Sequence, residues 1–186
     1  SASAPGGRQI LLQRLSNAGK LLGGKVKVSS FDGVSRNPEV AAAPGGFAVV
    51  WTNDTPRQNN KNDFYWTFFA LVSPAGDAPQ AVRQLEFSSA SDRVALAAAG
   101  AALGFAWVEK KEPMGTAVFF SRLDAAGRPI GGRVRVSDDK PVACGSPAIA
   151  FAGDGYGVAW HDDRSQTGTQ IVFSFLGCGG PEAEAA

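Results

Sequence analysis

Histidine, cysteine and long apolar runs are scarce in this chain of 186 residues, which has one histidine and two cysteines. A single histidine excludes metal centres and catalytic motifs that need two or more histidines. The sequence also lacks the short motifs of phosphate-binding loops, dinucleotide sites, zinc proteases and serine hydrolases. Its longest apolar runs, such as residues 94–99, are far shorter than the ~20 residues of a membrane-spanning helix. We therefore expect no catalytic site, no metal, no cofactor and no membrane span.

Charge of one sign is also lacking, because 18 basic and 17 acidic residues leave a formal net charge of +1. Nucleic-acid binding requires clustered positive charge, and the sequence gives no reason to expect it. Hydrophobic residues make up 44% of the chain, which is enough for a folded core. The length corresponds to one domain.

A threefold repeat is the main positive feature of the sequence. A tight turn followed by an apolar strand that ends in tryptophan occurs three times, at Trp51, Trp107 and Trp160, with intervals of 53 to 56 residues. A period of this size is typical of repeat architectures. Each repeat is interpreted as four short antiparallel strands: a small-residue strand, the tryptophan strand, an aromatic strand and a strictly alternating strand. Variable polar loops are expected at residues 53–63, 109–115 and 161–169.

Two segments resemble a known family. Residues 122–132 follow the pattern Arg-Leu-Asp-Ala-x-Gly-x-Pro-x-Gly-Gly, and Trp160 is followed by His-Asp-Asp-Arg. This sequence pattern resembles the β-propeller repeats of large secreted and surface proteins of bacteria. The resemblance covers about residues 9–176. The middle repeat departs from it, since residues 72–77 lack the Gly-Gly and Glu109 stands where an acidic pair is expected. The resemblance implies a β-propeller fold and a bacterial protein that is secreted, periplasmic or on the cell surface; it says little about function, because propellers host unrelated activities. Since catalytic motifs are lacking, we expect a non-enzymatic binding or assembly module.

The expected fold class is all-β, of the β-propeller type, with three four-stranded blades of about 53 residues plus one duplicated strand. The repeats are expected at about residues 16–71, 72–123 and 124–176 of a single domain, 9–176, between flexible segments 1–8 and 177–186. The duplicated strand follows from one repeat position that occurs four times, at Leu15, Leu71, Leu123 and Leu176.

Closure of the ring is open at this point. Propellers typically have ~4–8 blades, so three blades would leave open edges. We expect either self-association of two chains into a six-bladed ring or a partner chain that supplies the missing blades. The alternative is a fold closed by threefold repetition within one chain, such as a β-trefoil.

Aromatic and amide residues are the candidate ligand-binding side chains. Tyr65 and Trp66 follow an Asn-rich loop with Asn60 and Asn62, a composition that suits a sugar or a protein interface. The recurring tryptophans, Trp51, Trp107 and Trp160, are expected in the core or, alternatively, as one stacking platform per blade in a lectin-like protein. A second alternative is the propeller part of a secreted glycan-processing enzyme, which would need paired carboxylates near the axis.

Two further pairs of residues are candidate sites. His161 and Asp162 could act as a base and its orienting acid, but the other repeats have Thr-Asn and Val-Glu there, so we expect the start of a variable loop. Cys144 and Cys178 invite a disulfide in an exported protein. The blade arrangement places them at opposite ends of a sheet, ~15–20 Å apart, whereas a disulfide needs Cα atoms within about 7 Å.

Overall fold

The computed structural model describes residues 7–29, 33–54, 65–79, 81–85, 90–111, 115–138, 144–165 and 168–177. These residues form thirteen strands and no helix, which confirms the prediction of an all-β fold. Among them no helix is long and apolar enough to cross a membrane.

The strands form four antiparallel sheets that follow one another along the chain. The first sheet consists of β1 (Leu11–Leu15) and β2 (Leu21–Lys27). The second consists of β3 (Val34–Ala43), β4 (Gly46–Asp54), β5 (Trp66–Val72) and β6 (Val82–Gln84). The third consists of β7 (Ala90–Ala99), β8 (Ala102–Lys111), β9 (Gly115–Asp124) and β10 (Pro129–Arg135). The fourth consists of β11 (Cys144–Phe151), β12 (Gly155–Ser165) and β13 (Gly168–Gly177).

The second and third sheets each contain the four predicted strand types in the predicted order, as hydrogen-bonded neighbours. The first sheet has only the aromatic and alternating types, and the fourth sheet lacks the alternating type among the described residues. The aromatic type therefore occurs four times. The second and third sheets do not coincide with the repeats predicted at residues 16–71 and 72–123. In each sheet the alternating strand, β6 or β10, lies after the predicted end of the repeat.

The register between strands corrects one sequence assignment. In each complete pairing, the residue four places before the tryptophan lies opposite one residue of the aromatic strand: Phe47 opposite Val72, Leu103 opposite Leu123, and Tyr156 opposite Leu176. Val72 therefore shares the position of Leu123 and Leu176, and the assignment of Leu71 to that position is wrong by one residue. Because side chains alternate along a strand, Leu71 points to the other face of its sheet.

Three apolar layers lie between the four sheets, which stack face to face. The first layer includes Ile10, Val28, Trp51, Phe68 and Val72. The second includes Val50, Phe69, Leu103, Trp107 and Phe119. The third includes Val108, Val118, Phe120, Tyr156 and Trp160. Each recurring tryptophan thus points toward the preceding sheet. We call this side of a sheet its backward face, and the side toward the following sheet its forward face.

The small-residue strands lie side by side, since β7 contacts both β3 and β11. Each of them has a register shift near its start. In two of them a residue with positive φ precedes a proline, Asn37 (φ 51°) before Pro38 and Ser146 (φ 46°) before Pro147. This bulge bends the strand where the sheets converge. None of the four sheets is closed, so the described residues do not form a barrel closed within the chain.

Candidate functional site: two uncovered sheet faces

The last sheet exposes large apolar side chains on its forward face. Ile171, Phe173 and Phe175 alternate along β13 and are 77%, 66% and 50% exposed. Alternate residues of a strand share one face, so the three side chains form a continuous row. We call this row, with the neighbouring residues of β11 and β12, the C-terminal face.

Two of these three positions, those of Ile171 and Phe173, are buried in the second and third sheets. Strand pairing identifies the equivalents of Ile171 and Phe173, because each lies opposite the same position of a tryptophan strand. Those equivalents are Val118 (0% exposed) and Phe120 (6%) in the third sheet, and Thr67 (2%) and Phe69 (2%) in the second. In both cases the next sheet of the stack covers them. The C-terminal face is therefore a layer surface without its covering sheet in the described structure.

Small residues on β11 and β12 make part of this face flat. Ala148 and Ala150 are exposed on β11, whereas their equivalents Ala95 and Ala97 are buried beneath the fourth sheet. The Phe173 ring lies over β12, because a Cβ added at Gly157 would be 2.8 Å from its Cε2 atom. The aromatic rings thus lie along the sheet, as a surface suited to another flat face.

The first sheet exposes apolar side chains on its backward face, at the opposite end of the stack. Leu11, Leu15 and Leu21 are 55%, 57% and 63% exposed. Leu15 lies opposite Leu21 just as Leu123 lies opposite Pro129, which makes Leu15 the equivalent of the fully buried Leu123. We call Leu11, Leu15 and Leu21 the N-terminal face.

A cleft adjoins the N-terminal face. Its volume is about 550 Å³, and it lies between the first sheet and strands β3 and β4 of the second. Val40 (60% exposed) and Phe47 (38%) line it. Their equivalents Leu96 and Leu103 are buried by β3 and β4 of the complete second sheet. The cleft exists because the first sheet has no small-residue strand and no tryptophan strand among the described residues.

The recurring tryptophans do not form accessible platforms. Trp51, Trp107 and Trp160 are 0%, 0% and 2% exposed, each within an apolar layer between sheets. A sugar ring stacks on an open aromatic face, and these faces are occupied by neighbouring side chains. Their placement favours the packing role.

Tyr65 and Trp66 lie together at one end of β5, while Asn60, Asn62 and the rest of the Asn-rich loop lie outside the described residues. Trp66 is half-buried against the first apolar layer. The Arg36 guanidinium lies 5.5 Å from the centre of the Tyr65 ring and forms a 2.6 Å ion pair with Asp54. Arg36, Asp54 and Tyr65 thus form a cluster of a cation, a carboxylate and one aromatic ring at this end of the second sheet.

Three strands continue into the segments that were predicted to be polar loops. As a result, three polar residues at the predicted loop starts are buried. β4, β8 and β12 extend to Asp54, Lys111 and Ser165. The residue two places after each tryptophan is consequently buried: Asn53, Glu109 and Asp162. Glu109 accepts hydrogen bonds from Trp107 Nε1 (3.0 Å) and from Arg133. The sequence does carry a signal for these buried residues, because a polar residue recurs two places after each tryptophan.

His161 and Asp162 do not form a catalytic pair. They are consecutive residues of β12, so their side chains point to opposite faces of the sheet. The His161 ring lies over Gly145, and Asp162 Oδ2 lies 3.9 Å from Cys144 Sγ. No group of three or more His, Cys, Asp and Glu side chains in the described segments could hold a metal ion.

Cys144 has a free, buried thiol, and burial, followed by the charge of Asp162, raises its pKa to about 11. Cys178, the proposed disulfide partner, lies outside the described residues. The last described residue, Gly177, lies opposite Gly155, whereas Cys144 lies opposite Asp162 at the other end of β12. This is the opposite-ends arrangement that the sequence predicted for the strands.

Comparisons with known proteins identify no relative of this chain. No family model, no curated protein and no solved structure matches the chain. The functional conclusion therefore depends on the two uncovered faces and on the repeat equivalences that define them.

Proposed function

We propose that this chain is a non-enzymatic binding and assembly module of the β-propeller type, which acts through contacts between sheet faces. The C-terminal face carries the proposal, because Ile171, Phe173 and Phe175 are exposed, whereas the chain elsewhere buries the positions equivalent to Ile171 and Phe173. A contiguous exposed apolar surface marks an interaction site. The chain itself covers such a face with another sheet three times, so a sheet is the partner of matching shape.

The order of the strands supports a propeller. In a propeller, four-stranded sheets surround a common axis, with their first strands innermost. The two complete sheets have this strand order, and the small-residue strands β3, β7 and β11 lie side by side as inner strands would. Two copies of three repeats each fall within the ~4–8 blades of known propellers, so self-association of two chains into a ring is part of the proposal.

Location outside the cell or at its surface is also proposed. The support is the resemblance of residues 122–132 and 160–164 to repeats of secreted and surface proteins of bacteria.

Solution mass tests the assembly. We expect light scattering at increasing concentration to approach twice the chain mass of 19.3 kDa. The double variant Phe173→Asp/Phe175→Asp should remain monomeric, because two charges on the face would have to be buried. Ile130→Asp is the control, since Ile130 is 37% exposed on β10, outside both faces. A wild-type monomer at every concentration, or a double variant that still assembles, would overturn the proposal.

A further inference from the structure

The internal layers of the stack follow one rule. Between the second and third sheets, Val50 and Phe69 of a forward face meet Trp107 of a backward face. Between the third and fourth sheets, Phe120 of a forward face meets Trp160 of a backward face. No layer formed by the described residues joins two forward or two backward faces.

The two uncovered faces are opposite halves of such a layer. The C-terminal face is a forward face, and Phe173 occupies the position of Phe120. The N-terminal face is a backward face, and Leu15 occupies the position of Leu123, which the second sheet covers. The chain thus displays at one end the type of surface that its other end needs.

We propose that the sheet covering the C-terminal face is the first sheet of a second copy of this chain, docked head to tail. This inference rests on the proposed assembly function and names the partner. Phe173 and Phe175 of one copy then lie on Leu11 and Leu15 of the other.

Head-to-tail contacts are heterologous, and they form a ring when the rotation between copies closes. The rival arrangement is a symmetric dimer in which two C-terminal faces meet each other. It would leave Leu11, Leu15 and Leu21 exposed in the assembly, and it would pair two forward faces, which the internal layers do not do.

Mixing two variants distinguishes the arrangements. Phe173→Asp damages only the C-terminal face, and Leu15→Asp damages only the N-terminal face; both side chains are more than half exposed, at 66% and 57%, so both variants should fold. Leu11→Asp serves as a second N-terminal variant, Ile130→Asp is the control, and circular dichroism confirms the fold of each.

Each face variant alone should weaken assembly by roughly 100-fold, the effect expected for losing one buried aromatic or leucine anchor. An equimolar mixture should recover assembly above either variant alone, because the intact C-terminal face of Leu15→Asp can dock on the intact N-terminal face of Phe173→Asp. Recovery in the mixture supports the head-to-tail contact.

Two other results have separate meanings. If Leu15→Asp and Leu11→Asp assemble like wild type while Phe173→Asp does not, the dimer joins two C-terminal faces; the partner inference is then wrong and the assembly function stands. If wild type is monomeric at every concentration, the assembly function is wrong and the inference falls with it.

Discussion

Phe120 and Phe173 provide a matched test of the repeat equivalence, because they are the same residue type at the same repeat position. Phe120 is 6% exposed and its ring lies 5.0 Å from that of Tyr156 in the layer between the third and fourth sheets. Phe173 is 66% exposed on the forward face of the last sheet. Truncation of each to alanine should therefore have very different effects on the free energy of unfolding.

The expected magnitudes follow from burial. Phe120→Ala removes a ring from a layer whose walls are two sheets, and such truncations cost ~3–5 kcal/mol. Only about a third of the Phe173 surface is covered in the single chain, which is roughly 70 Å² of a phenylalanine's ~200 Å². At ~25 cal/mol per Å², and with part of that area retained by alanine, Phe173→Ala should cost about 1 kcal/mol.

Urea unfolding at low protein concentration measures both costs, followed by tryptophan fluorescence and circular dichroism. At high concentration the apparent cost of Phe173→Ala should rise, because assembly stabilises only chains that can associate. If Phe120→Ala and Phe173→Ala lower the free energy of unfolding equally at low concentration, the Phe173 ring is already covered within one chain. The C-terminal face would then not be an open surface.

Two further predictions concern single residues. Gly104→Ala should lower the free energy of unfolding by ~1–3 kcal/mol, because the new Cβ would overlap the Tyr156 ring and lie 2.9 Å from Ile149 Cδ1; Gly132→Ala, with open space around it, should change the urea midpoint little, and equal effects would contradict the close approach. Burial raises the pKa of the Cys144 thiol from 9.0 to about 11, so the unfolded thiol loses its proton first and stability should fall between pH 9 and 11. In a Cys178→Ser background, urea midpoints across that range should fall more for the protein with Cys144 than for Cys144→Ala, and a thiol reagent at pH 8 should react only as fast as the chain unfolds.

The strand types and their order could be predicted from the sequence because the repeat supplies three versions of each strand. Residues 9–15 alone fit a helix or a strand, but they run into the segment 12–24, whose equivalent 120–132 contains Pro129 and so disfavours a helix. The register could not be predicted to the residue. The recurrence of leucine places Leu71 at the position that Val72 occupies, because the sequence does not show which residue of this strand lies opposite Phe47.

The candidate site was predicted less well, because composition does not reveal which layers are present. For Trp51, Trp107 and Trp160 the recurrence favours core packing over stacking platforms, and each of them lies inside a layer. In the sequence, the row Ile171, Phe173 and Phe175 reads as part of an ordinary apolar strand. Its exposure depends on the number of sheets stacked beyond it, which no local pattern encodes.

The nature of the two ends explains why exposed apolar side chains indicate assembly here. In a stack of repeats each unit contacts only its neighbours, and stacks that work as single chains end in capping units with polar outer faces. This stack has the opposite design, with phenylalanine and isoleucine on the outer face of the fourth sheet and leucine on that of the first. In the assembly that we propose, another sheet supplies this cover. Since one end is a forward face and the other a backward face, a second copy can cover both ends with the same contact that holds the chain's own sheets together.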